Sequence, residues 1–153
     1  MILIRSGQWT GRGSVLAEGQ SLGQGVACDV EVRRDDEGAT INAEVDAKEL
    51  GSWAMNIRIA PDEQGTYDVS VRTLKGSLAG TAKLDSPPNL GLIWNEDQTV
   101  HVTFALFEVS GGLGFRGFLR DGKTTYTWEI ALSLRQDHVG GENVVSLVSR
   151  RRR

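Results

Sequence analysis

The sequence predicts an all-β fold, a single antiparallel up-and-down β-barrel of about eight to ten strands. Three observations predict it. Short runs of apolar/polar alternation recur roughly every 8–12 residues, the spacing of a sandwich or barrel. Glycine supplies 19 of the 153 residues while proline supplies 3. Helix signals are almost absent. Alternation marks a half-buried strand because successive side chains on a strand point to opposite faces.

The first strand is expected around Gly7-Gln8-Trp9-Thr10-Gly11-Arg12-Gly13. Cys28, Val30 and Val32 then alternate with Asp29, Glu31 and Arg33; after the turn-like Asp35-Asp36-Glu37-Gly38, Ile41, Ala43 and Val45 alternate with Asn42, Glu44 and Asp46. This is a hairpin. Trp53, Met55, Ile57 and Ile59 alternate with Ala54, Asn56 and Arg58, and beyond Pro61-Asp62-Glu63-Gln64-Gly65 come Tyr67, Val69 and Val71 against Asp68, Ser70 and Arg72. Leu78, Ala82 and Leu84 follow, then a break at Ser86-Pro87-Pro88-Asn89, then Leu90 to Trp94, the turn Asn95-Glu96-Asp97-Gln98 and Val100 to Val109. Gly111-Gly112 leads to Leu113–Leu119, Asp121-Gly122 to Tyr126–Leu134, and Val144–Val148 could complete the set. The one helical candidate is a single turn at Asp46-Ala47-Lys48-Glu49-Leu50-Gly51, with an acidic start and a glycine stop. Glycines inside strands, at 11, 13, 76, 80, 114 and 117, fit a strongly bent sheet. Closure into a barrel removes the edges that three prolines could not protect.

The length is that of one domain, expected over residues 1–149, with a basic tail at Arg150–Arg153. The formal net charge is −3, and since the tail holds four of the 17 basic residues, the body before it is more acidic still. Such a body is a poor nucleic-acid binder, and the tail reads as a solvated end before it reads as an arm for an acidic partner. Met1-Ile2-Leu3-Ile4 is too short for the apolar core of about 7–15 residues in a secretory signal, and no run approaches the roughly 18 residues of a membrane span. A soluble cytoplasmic protein without membrane attachment is expected. The lone Cys28 has no disulfide partner, and with His101 and His138 it makes no usual zinc spacing, so no metal is expected.

The segment from Gly7 to Gly13 resembles the opening strand of the calycins, the superfamily of lipocalins, fatty-acid-binding proteins and avidins. In its longer glycine-x-tryptophan-x-glycine-x-glycine form it is similar to the nitrobindins. The resemblance implies a lipocalin-like barrel with an apolar ligand inside, and Trp9 packed across one end under Arg135, the arginine that ends Trp128–Leu134. Nitrobindins need a late-strand histidine on the haem iron; this sequence has Tyr126 and Trp128 there, which counts against haem, so no cofactor is expected. His138 is expected in a loop next to Gly140-Gly141, and His101 on the strand face opposite Val100, Val102 and Phe104.

No catalytic set emerges. Cys28 sits among alternating apolar residues, as a buried inert thiol does. The carboxylate pairs Asp29/Glu31, Glu44/Asp46 and Glu96/Asp97 read as solvated faces and a turn. Gly111–Phe115 lacks the lysine and helix of a phosphate cradle. The late strands, by contrast, are apolar on both faces, so something should cover their outside. Ile93, Phe107 and Phe118 are expected to form a two-fold interface in a homodimer, with Val144–Val148 as the alternative cover. Inside, Trp53, Met55, Trp94, Phe104, Phe115, Tyr126 and Trp128 are expected to line a ligand site, with Arg116 reaching the ligand head group unless it pairs with Asp121 or Glu129. The expected function is therefore non-catalytic binding of a small apolar or amphipathic molecule. A filled barrel serving as an interaction module is the alternative, and an enzyme with its site at the barrel mouth comes third.

Overall fold

The computed structural model describes residues 2–137. Ten antiparallel strands are present: β1 (Gly7–Ala17), β2 (Gln24–Asp35), β3 (Gly38–Ala47), β4 (Gly51–Pro61), β5 (Tyr67–Thr73), β6 (Gly76–Lys83), β7 (Asn89–Trp94), β8 (Val100–Val109), β9 (Gly112–Asp121) and β10 (Thr124–Asp137). Each pairs with its sequence neighbour, and β1 pairs with β10 to close the barrel. Closure is thus made by the strand that begins at Thr124, and Val144–Val148, His138 and the Arg150–Arg153 tail lie outside the described residues. In the Asp46–Gly51 segment Asp46 and Ala47 end β3, Gly51 begins β4, and only Lys48, Glu49 and Leu50 form a turn, not a helical one; the segment is too short to outcompete two strands already in register. No helix among the described residues is long and apolar enough to cross a membrane.

One end of the barrel is plugged. Before β1 the chain folds across the opening, burying Ile2 and Ile4 (6% exposed) in a cluster with Trp9, Val32, Tyr67 and Leu84. The backbone N–H of Arg34 donates to Ser6 Oγ at 2.9 Å, and Trp9 Nε1 donates to the Arg5 carbonyl at 2.9 Å, so the plug is tied to both the wall and the core. The Gly7–Gly13 repeat places Gly7, Trp9, Gly11 and Gly13 on the inward face of β1. A Cβ at Gly13 would stand 1.8 Å from the Glu129 carbonyl oxygen, so only glycine lets β1 and β10 approach this closely.

Arg135 does not cover Trp9. The β1–β10 register shifts between Gln8 and Trp9, where Gln8 faces Gln136 and Trp9 faces Leu134, leaving Arg135 as the extra residue of a bulge. Its side chain is exposed, with Nη1 3.8 Å from Asp29 Oδ1 on the outer surface.

Strand β7 also departs from expectation. Its inward residues are Asn89, Gly91 and Ile93, and its outward ones Leu90, Leu92 and Trp94. Ile93, expected outside, is 4% exposed in the core, and Trp94, expected inside, stands outward beside His101. The phase is set by bulk across the strand pair. Gly91 lies under the Phe104 ring, where a Cβ would come within 2.1 Å of Cζ.

The barrel interior and its open mouth

At the opposite end the inner wall stays partly open. Following the register around the barrel, Trp53 and Met55 on β4, Leu78 on β6, Phe104 on β8, Phe115 and Leu119 on β9 and Trp128 and Ile130 on β10 all face inward, as does Leu106 on β8 nearer the plugged end. Most pack against the buried cluster, yet each keeps accessible surface, and Trp53 at the rim is 37% exposed. At the plugged end Ile2, Ile4 and Trp9 are each 6% exposed or less.

An aromatic run forms one side of this interior. Phe104 and Phe115 have ring centroids 6.0 Å apart at 59°, and Phe115 and Trp128 are 5.6 Å apart at 46°, tilted geometries favoured by aromatic quadrupoles. Trp128 is seated over Gly117, where a Cβ would lie 2.5 Å from its ring. Tyr126 continues the inward face of β10 toward the mouth. The Trp128 Nε1–H is buried with no acceptor among the described residues. An unpaired buried donor costs about 1–3 kcal/mol of lost hydration, so an acceptor brought next to it would be favoured. Away from the two rims, no acidic, basic or imidazole side chain of the described residues faces inward. A fully charged ligand group would be left without a partner in this space.

Of the residues expected to line a site, Trp53, Met55, Phe104, Phe115, Tyr126 and Trp128 share the interior. Trp94 and Arg116 do not. Arg116 points outward, 2.9 Å from Glu129 Oε1 through Nε and 5.3 Å from the Phe107 ring centroid. The nearby glycines leave room for rings: a Cβ at Gly114 would meet the Phe107 ring outside, and one at Gly117 the Trp128 ring inside.

The mouth carries a feature that the sequence reading missed. Leu22 (80% exposed), Leu50 (44%) and Leu74 (107%) occupy three loops at this end and are exposed to solvent. Each is a lone leucine in a polar turn, so only the closed topology shows that they ring one opening.

Cys28 faces inward and is buried, and burial first, then the neighbouring Asp29 charge, pushes its thiol pKa up. At neutral pH it is a protonated filler rather than a nucleophile. His101 is exposed on the outer face, and among the described residues no three His, Cys, Asp or Glu side chains gather as a metal set. No protein-family model matches this chain, nor does any curated protein sequence.

Proposed function

We propose that the protein binds a small neutral apolar or amphipathic molecule inside the barrel, without catalysis, in the cytoplasm. The observation that carries this reading is the asymmetry of the interior: sealed by Ile2, Ile4 and Trp9 at one end, and lined at the other by apolar side chains that still reach solvent. The leucines around the mouth give an apolar molecule a favourable approach. The unpaired Trp128 Nε1–H favours a ligand with one acceptor, a carbonyl, ether or hydroxyl oxygen, inserted toward the aromatic run. The resemblance of Gly7–Gly13 to calycin first strands supports the same reading, as a barrel of that kind encloses its ligand.

Native mass spectrometry of the protein taken from its own cells, repeated after denaturation, tests this directly. Extra mass that leaves on denaturation is the expected result. A titration with Nile red, a neutral dye bearing a carbonyl, should give saturable brightening that Trp128→Phe weakens by roughly five- to tenfold, the worth of about 1 kcal/mol or slightly more. A bare polypeptide mass together with a dye that stays dark would sink the proposal and leave a filled barrel.

A further inference from the structure

The outer surface is divided in two. Over β2 and β3 it carries Asp29, Glu31, Glu44 and Asp46. Over β7 to β1 it carries Leu90, Leu92, Ala105, Phe107, Phe118 and Leu16. The register sets these into cross-strand rows: Leu92, Thr103, Phe118, Thr127 and Leu16 in one, and Leu90, Ala105, Arg116, Glu129 and Ser14 in the next. Two details of this face go beyond its apolarity. An open depression of about 480 Å³ is lined by Ser14, Leu16, Arg116, Phe118, Thr127 and Glu129 among others, and the ring of Phe118 on its β9 side is 43% exposed. In its wall the Arg116–Glu129 pair stays solvent-exposed, with 61% and 66% of the side chains accessible.

We propose that this face binds a second copy of the chain about a two-fold axis lying in the face, parallel to the strands, between β9 and β10. This inference stands apart from the interior ligand. Such an axis sets β9 opposite the partner's β10 and β8 opposite the partner's β1. Phe118 then comes over the partner's Thr127 and enters the depression next to the partner's Leu16, while Arg116 meets the partner's Glu129 and the partner's Arg116 meets Glu129. A self-complementary patch with a knob beside its own hole, and a cation beside its own anion, is what an isologous interface requires. Gly114, opposite the partner's Ala131, allows the sheets to approach. Of the residues the sequence suggested for such a face, Phe107 and Phe118 belong to it and Ile93 does not.

The charge pair makes the proposal testable in a way that an apolar face alone would not. In sedimentation velocity over a range of concentrations, the full chain should form a dimer. Arg116→Glu sets two glutamates against each other across both halves of the interface, and Glu129→Arg sets two arginines; each should raise the dimer dissociation constant at least about tenfold. Mixed one to one, the two variants should recover a dimer as the heterodimer, because every cross-pair is then of opposite sign. Both positions are exposed, so the monomer fold should persist in circular dichroism. Phe118→Ser gives an independent loss of the dimer. A full chain that remains monomeric at every concentration, single variants that dimerise like the parent, or a mixture that does not recover, would each overturn the proposal.

Discussion

At Gly11 the inward face of β1 has no room for a methyl group. A Cβ there would lie 2.4 Å from Cys28 Sγ and 2.8 Å from Leu132 Cδ2. Gly11→Ala should therefore cost about 1–3 kcal/mol by overpacking. Adding Cys28→Ala should return part of that cost, since the nearest obstacle is a side chain; urea unfolding of the two single variants and the double variant would measure the coupling. At Gly13 the obstacle is the Glu129 backbone oxygen, so trimming a neighbour offers no such relief. At this scale the sequence was legible where a residue's size is its role. The spacing of Gly7, Trp9, Gly11 and Gly13 could be read because all four share one face. Arg135 could not be placed, since a bulge shifts the phase by one residue with no local signal. Arg116 was open between two partners, and its geometry with Glu129 and Phe107 decides for the outer surface.

Among the elements, the hairpin turns at the plugged end are held by carboxylates. Asp62 accepts from the Thr66 hydroxyl and, at 2.8 Å, from the Gln64 backbone N–H; Asp35 accepts from Arg58 at 3.2 Å and from the Glu37 backbone N–H at 2.8 Å. Both pKa values are lowered in the fold, for Asp62 by the Thr66 hydroxyl first and for Asp35 by Arg58 first. In the unfolded chain they return toward about 3.9. The folded state therefore gains from both carboxylates above that pH, and the gain is lost as pH falls through the lower folded-state values. The urea midpoint of the wild type should exceed that of Asp35→Asn/Asp62→Asn at about pH 6, and the gap should narrow at about pH 2.5; a gap independent of pH would contradict this account. Strands β2, β3 and β5 were readable because each has one polar face, as in Asp29, Glu31 and Arg33 against Cys28, Val30 and Val32. Strand β7 was not. With leucines and a tryptophan on one face and Asn89, Gly91 and Ile93 on the other, its more apolar set points outward, and alternation alone assigns it the wrong way round.

For the whole molecule, the plug and the mouth divide the barrel into a stable half and an accessible one. Ile4→Ala should cost about 2–5 kcal/mol, the range for a buried aliphatic side chain, and lower the thermal midpoint while Nile red binding at the far end is retained. Equal loss of both would mean that the two ends are not separable. Closure as such was legible from strand count and glycine content. The role of Ile2 and Ile4 was not, because three apolar residues have no period, and neither was the ring of Leu22, Leu50 and Leu74, which only the three-dimensional path brings together. Closure also bears on how the chain is made. Nine of the ten strand pairings join sequence neighbours and can form as each hairpin leaves the ribosome; the tenth joins the first strand to the last. Bringing those ends together carries the largest loop-closure entropy in the fold. Until β10 emerges, the growing meander presents unpaired backbone along β1 and along its newest strand, open to pairing with any other nascent copy. The rate of synthesis of the last strand thus sets how long each new molecule is exposed to misassembly.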